Sequence, residues 1–79
     1  MSDVDTLRAR IDEHDAEIIR LVSERRELST QIQALRAAGG GGPLAPERER
    51  RILDAYAVAL GPDGEHVAEA VLVVCRGRH

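Results

Sequence analysis

Aromatic side chains are nearly missing from this 79-residue chain, which has no Phe, no Trp and a single tyrosine, Tyr56. Without aromatic platforms it lacks the usual surface on which nucleic-acid bases stack. A formal net charge of −3 likewise gives no global basic field to attract nucleic acid or a membrane surface. The lone cysteine, Cys75, excludes an intrachain disulfide and fits a reducing compartment. No signal peptide and no apolar run of transmembrane length is present, so the expectation is a soluble, cytoplasmic protein. The three histidines, His14, His66 and His79, have no metal-ligand spacing, so no metal site is expected. What remains is 43% hydrophobic, and its core must be built from Leu, Ile, Val and Ala. At this length, read as a single domain over residues 1–79, one core is marginal and oligomerisation is a common remedy.

Proline and glycine are also absent from residues 4–36, and this stretch reads as one helix. Val4, Ile11, Ile18 and Ile32 fall on one position of a seven-residue repeat, and Leu7, Leu21, Leu28 and Leu35 on another. His14 and Arg25 interrupt the two rows. At about 1.5 Å per residue this helix is roughly 50 Å long, against about 25 Å for a compact domain of this size. The overhang predicts a second copy of the chain. Ser2 is placed to cap the helix, with Asp5 three residues on, and Gly39 suits a left-handed position after its end.

Four glycines, Gly39 to Gly42, and Pro43 form a linker. No preceding strand and no following Gly-Lys-Ser or Gly-Lys-Thr accompany them, so this is no phosphate-binding loop. Pro46 opens a second helix running to about Leu60, with Ile52, Tyr56 and Ala59 on its buried face. After the turn Gly61-Pro62-Asp63-Gly64, a third helix runs from about Glu65 to Arg76. Val71 to Val74 is β-branched enough for a strand, but a lone strand has no partner in so small a chain. The expected fold is all-α, three helices with a long first one.

The chemistry concentrates in arginines. Arg25 and Arg36 are eleven residues apart, within ~20° of one helical face and about 16 Å along the axis, so two extended side chains can flank a small dianion. Arg8 lies ~25 Å before Arg25, too far to share that ligand within one chain, yet an antiparallel second helix brings it near. The same three residues also fit a blander description: a surface charge, a polar seam residue and a cation at a helix C-terminus. Cys75 has no evident activating base, His14 suits a packed or interface position, and His66 suits the surface.

The ordered set Leu7-Arg8, Ile11-Asp12, Asp15, Ile18, Leu21, Arg25, Arg36 and Arg48-Glu49 resembles the all-helical, AroQ-type chorismate mutases. Leu60-Gly61-Pro62-Asp63-Gly64 and Arg76-Gly77-Arg78 resemble the short actinobacterial subclass. The resemblance implies an intertwined homodimer whose two sites each use both chains. It implies Arg8 from the neighbouring chain and Arg25 from within as carboxylate ligands, Arg36 facing the ether oxygen of chorismate, and the pair Arg48 and Glu49, with Glu49 near the substrate hydroxyl. Ala45 stands where better-known members have Asp, and Cys75 and His79 stand near the places of the family's Ser and Gln. The implied reaction, chorismate to prephenate, is a one-substrate rearrangement that uses no nucleophile, metal or redox cofactor. The subclass implies an activating complex with 3-deoxy-arabino-heptulosonate-7-phosphate synthase, although the tail here lacks the Leu-Gly that usually follows the second Arg. An isochorismate-pyruvate lyase of the same fold and a catalytically silent helical dimerisation module are the alternatives.

Overall fold

The computed structural model describes residues 2–40 and 45–76. Three helices account for nearly all of them: α1 (Asp3–Ala38), α2 (Pro46–Leu60) and α3 (Gly64–Arg76). The molecule measures 57 × 25 × 17 Å, and the 36-residue α1 sets the long dimension.

Local chemistry explains the helix ends. The Asp5 backbone N–H donates to Ser2 Oγ at 3.1 Å, and Asp3 and Asp5 place negative charge in the first turn of α1. At the other end Gly39 takes φ −87°, not the left-handed conformation expected of it; Gly40 takes that role with φ +82°. The Gly39 N–H still reaches the Leu35 carbonyl at 3.1 Å, so the helical hydrogen bonding extends one residue further. Gly41, Gly42 and Pro43 of the expected linker lie outside the described residues. α2 starts at Pro46 as expected, and Gly61, with φ +88°, ends it. α3 starts at Gly64, one residue earlier than expected, and the β-branched Val71–Val74 segment is helical.

α3 is the hub, packing against both α1 and α2, and its face carries Gly64, Ala68, Leu72 and Cys75, the buried residues among those described. These recur at four- and three-residue spacings, one side of a helix. A Cβ on Gly64 would stand 2.2 Å from the Tyr56 carbonyl oxygen, so the absent side chain is what lets α3 lie against α2. Ile52, Leu53, Tyr56 and Ala57 of α2 are half-buried there. Ala59, expected on that face, is exposed: α3 already meets α2 at the level of Tyr56, so Ala59 falls on the turn side of the crossing. At the surface Arg50 bridges Asp54 at 2.8 Å and also pairs with Glu65, tying α2 to the start of α3.

α1 behaves differently. None of its residues is buried, and the eight apolar residues of its heptad rows are each 52–73% exposed. His14, expected to be packed or at an interface, is exposed within the chain, its Nδ1 donating to the Arg10 carbonyl at 2.7 Å. His66 is exposed, as expected.

Candidate active site

One cavity of about 270 Å³ is formed where the C-terminal half of α1, the first turns of α2 and the last turn of α3 converge. α1 contributes Arg25, Ser29, Gln33 and Arg36, a row at helical spacing whose members share one face, with Leu28 and Ile32 beside them. α2 contributes Arg48 and Glu49 from its opening turn, together with Ile52. Ala45, just before that helix, completes this side and supplies no charge where the resemblance implies an Asp. From α3 come Leu72, Cys75 and Arg76.

The arginine pattern read from the sequence is thus assembled in part. Arg25, Arg36, Arg48 and Glu49, up to 24 residues apart in the chain, line one cavity. Arg25, Arg36 and Glu49 are half-buried and Arg48 is exposed. Arg8 is exposed far along α1 and does not line this cavity within the chain, as its distance from Arg25 requires. Cys75 is buried in the cavity wall. His79 lies outside the described residues.

Arg76, read from the sequence only as a helix end and part of a subclass ending, was given no place in the site. Its Nη2 lies 3.3 Å from Glu49 Oε1, and the two side chains are 34% and 28% exposed. The signal was present in the sequence: Gly64, Ala68, Leu72 and Arg76 form one row at four-residue spacing on α3. Ser29 and Gln33 were also overlooked, although they continue the row that Arg25 begins; Gln33 Nε2 donates to Ser29 Oγ at 3.4 Å.

Electrostatically, the cavity opposes the chain. Four arginines and one glutamate give it a formal surplus of three positive charges in a protein whose net charge is −3. Guanidinium groups present planar forks that match carboxylates in a bidentate manner. On the α2 and α3 sides the half-buried Ile52 and buried Leu72 lower the local dielectric and strengthen such contacts. This arrangement suits a small organic dianion. Among the described residues no group of three His, Cys, Asp or Glu gathers as a metal site.

The same organisation recurs in known proteins. A family model for chorismate mutase type II matches residues 7–75. The intracellular chorismate mutase of Mycobacterium tuberculosis is 45% identical over 76 residues, covering 96% of this chain and 71% of that protein. The intracellular chorismate mutase of Mycolicibacterium smegmatis is 42% identical over 76 residues, covering 96% and 73%. Among solved structures, a chain of the non-covalent complex of DAHP synthase and chorismate mutase from Corynebacterium glutamicum, with bound transition state analog, superposes with a TM-score of 0.91. That match has 28% sequence identity and covers 98% of this chain and 93% of the other.

Proposed function

Because the chain belongs to the type II chorismate mutase family, and is an isomerase that converts chorismate to prephenate, we propose that the arginine-lined cavity is where it binds chorismate. The observation that carries this reading is the gathering of Arg25, Arg36, Arg48 and Glu49, from two helices, around one cavity with a cationic surplus. Arg25 holds a substrate carboxylate. Arg36 faces the ether oxygen, on which negative charge grows as the C–O bond breaks. Arg48 is a further substrate-binding cation, and Glu49 accepts a hydrogen bond from the substrate hydroxyl. The rearrangement is pericyclic, so the protein's work is to hold a flexible dianion in its folded conformer and to stabilise the developing charge. Pre-aimed donors do the second at several kcal/mol apiece. Cys75 shapes the wall, and His79 is a further candidate beyond the described residues.

The working unit is an intertwined homodimer in which residues 1–79 act as one helical domain and Arg8 of a second chain completes each site. The uncovered heptad rows of α1 support this, since a continuous apolar stripe of that length needs a partner. A cytoplasmic location is supported by relatives named as intracellular enzymes, and no described helix is long and apolar enough to cross a membrane. The pathway served is shikimate-derived aromatic biosynthesis. The likeness to the Corynebacterium complex supports a non-covalent association with a DAHP synthase that activates this mutase. A rise of more than threefold in kcat/KM at saturating synthase is expected; a smaller change would make this a free-standing enzyme.

The deciding experiment incubates purified protein with chorismate and, separately, with isochorismate, following products individually. Prephenate from chorismate is expected. Pyruvate and salicylate released from isochorismate, with chorismate untouched, would make the chain a lyase. No turnover, and no thermal protection by a bicyclic transition-state analogue, would reduce it to a dimerisation module.

A further inference from the structure

We propose that Arg76 is a positioning residue of the mutase site, holding the Glu49 carboxylate in the cavity through the Arg76–Glu49 ion pair. The proposal rests on chorismate occupying this cavity. Arg76 is the last residue of α3 and Glu49 lies in the first turn of α2, so the pair joins the two helices at the end opposite their connecting turn. At the turn itself, Gly64 fixes the register, because α3 can approach the Tyr56 carbonyl only where no Cβ intervenes. From that point the row Gly64, Ala68, Leu72, Arg76 runs along the face of α3 that the other helices cover. Its first three members are buried, and the fourth delivers a guanidinium to the cavity. A contact 27 residues apart in sequence is thus prepared by packing along the whole of α3.

The pair differs in its setting from the other ion pairs described for this chain. Arg20 with Glu17 and Glu24, and Arg50 with Asp54, join side chains 52–62% exposed on a single helix. Arg50 with Glu65 also ties α2 to α3, but its side chains are 56% and 41% exposed and lie outside the cavity. Arg76 and Glu49 are about half as exposed, line the site and link different helices. Solvent screens them less, and losing one partner leaves the other's charge in a cavity wall. A carboxylate also has two oxygens: with Oε1 facing Arg76, the second can accept a hydrogen bond from a hydroxyl. Arg76 therefore sets where Glu49 points without needing to touch the substrate.

The test is a double-mutant cycle of Arg76→Gln and Glu49→Gln, with kcat and KM for chorismate measured on all four full-length proteins. Arg76→Gln should lower kcat/KM by between about tenfold and a hundredfold, the cost of misplacing a group at the reacting centre. The loss should fall mainly on kcat, and Arg76→Lys should recover part of it by restoring a cation without the planar fork. In the Glu49→Gln background the same Arg76 substitution should cost less than about twofold further, because the residue it positions is no longer a carboxylate. An equal cost in both backgrounds would overturn the proposal and assign Arg76 to the substrate or to the scaffold. Parental activity of Arg76→Gln would also overturn it. Circular dichroism and sedimentation monitor folding and assembly. If the Gln variant loses helicity, the cycle is run with Arg76→Lys, whose cost must likewise vanish beside Glu49→Gln. Failure of the underlying reading has a separate signature: Arg25→Ala and Glu49→Gln would both retain parental turnover.

Discussion

α1 and α3 are built from similar aliphatic residues but reach opposite fates in the isolated chain. α3, 13 residues long, buries Gly64, Ala68, Leu72 and Cys75, whereas α1, with 36 residues, buries none. α3 is the more apolar helix, but α1 does not lack an apolar face, since its heptad rows are all Ile, Leu and Val apart from His14 and Arg25. What differs is the partner each face meets. The face of α3 is covered by α1 and α2 of the same chain, and its small residues permit close approach. The stripe on α1 extends well beyond anything this chain can lay against it. One region is completed by its own sequence, and the other is left for the proposed second copy to cover. The cavity sits where the two meet, lined by the half-buried C-terminal part of α1 and the buried face of α3.

The contrast is most directly broken by placing a charge in the stripe. Ile18→Asp puts a carboxylate where the proposed second chain packs, and burying an unpaired charge is prohibitive. Sedimentation at micromolar concentration should show loss of the dimer, and turnover should fall by roughly a thousandfold or more because sites lacking Arg8 are incomplete. A variant that stays dimeric with full activity would place the interface elsewhere.

Next in size comes Arg25→Ala, expected to lower turnover at least about a hundredfold by deleting a charge-assisted contact at the cavity. Arg8→Ala should be comparably poor. Mixing the two variants after unfolding yields heterodimers with one doubly defective and one intact site, so random reassortment should restore about a quarter of parental activity. Subunit exchange without recovery would mean that Arg8 does not act across the dimer.

Much of this architecture was legible in the chain, for identifiable reasons. The expected helix from Val4 to Arg36 differs from Asp3–Ala38 by one residue at the start and two at the end, because uninterrupted heptads and a Ser cap are local signals. Arg25 and Arg36 were brought together by periodicity alone, and Arg48-Glu49 by its resemblance to a family pattern. The misses are of another kind. Gly39 and Gly40 are adjacent glycines, and which of them turns left-handed depends on how far helical hydrogen bonding continues. Ala59 was misplaced because the level at which α3 crosses α2 is set by close packing at Gly64. Arg76 was seen only as part of the chain's ending, because its place in the cavity depends on that same crossing. Residues whose surroundings come from their own helix could be read; those that depend on where two helices cross could not.

The α3 side of the contrast is tested by Gly64→Ala. The added Cβ would meet the Tyr56 carbonyl carbon and oxygen at 2.6 and 2.2 Å, both backbone atoms, so the helices must separate. Overpacking of this kind costs about 1–3 kcal/mol. A fall in Tm of roughly 4–20 °C is expected, with the dimer intact because α1 is untouched. An unchanged Tm would show that α2 and α3 tolerate a shifted register.

The smallest effect belongs to the middle of α1, where local pairs support the exposed helix. Arg20 donates to Glu17 through Nε at 2.9 Å and Nη2 at 3.0 Å, and to Glu24 through Nη1 at 2.8 Å. Its hydrogen bond to Glu17, and then its charge, hold the Glu17 carboxyl below the usual value of 4.5. A lowered value in the folded state means that the ionised form is favoured by folding, so the pair's contribution is fully present above about pH 4.5. It disappears as pH falls through the lowered value, where the carboxyl is protonated in both states. Both side chains are solvent-exposed, so screening keeps the effect small. Glu17→Gln should therefore lower the Tm by less than about 2 °C at pH 7, and less again at high salt. Once the pH falls below the lowered value the two proteins should converge, even though other carboxylates lower both melting temperatures. A difference that survived acid would mean that Glu17 contributes through packing, which its exposure on α1 gives it little means to do.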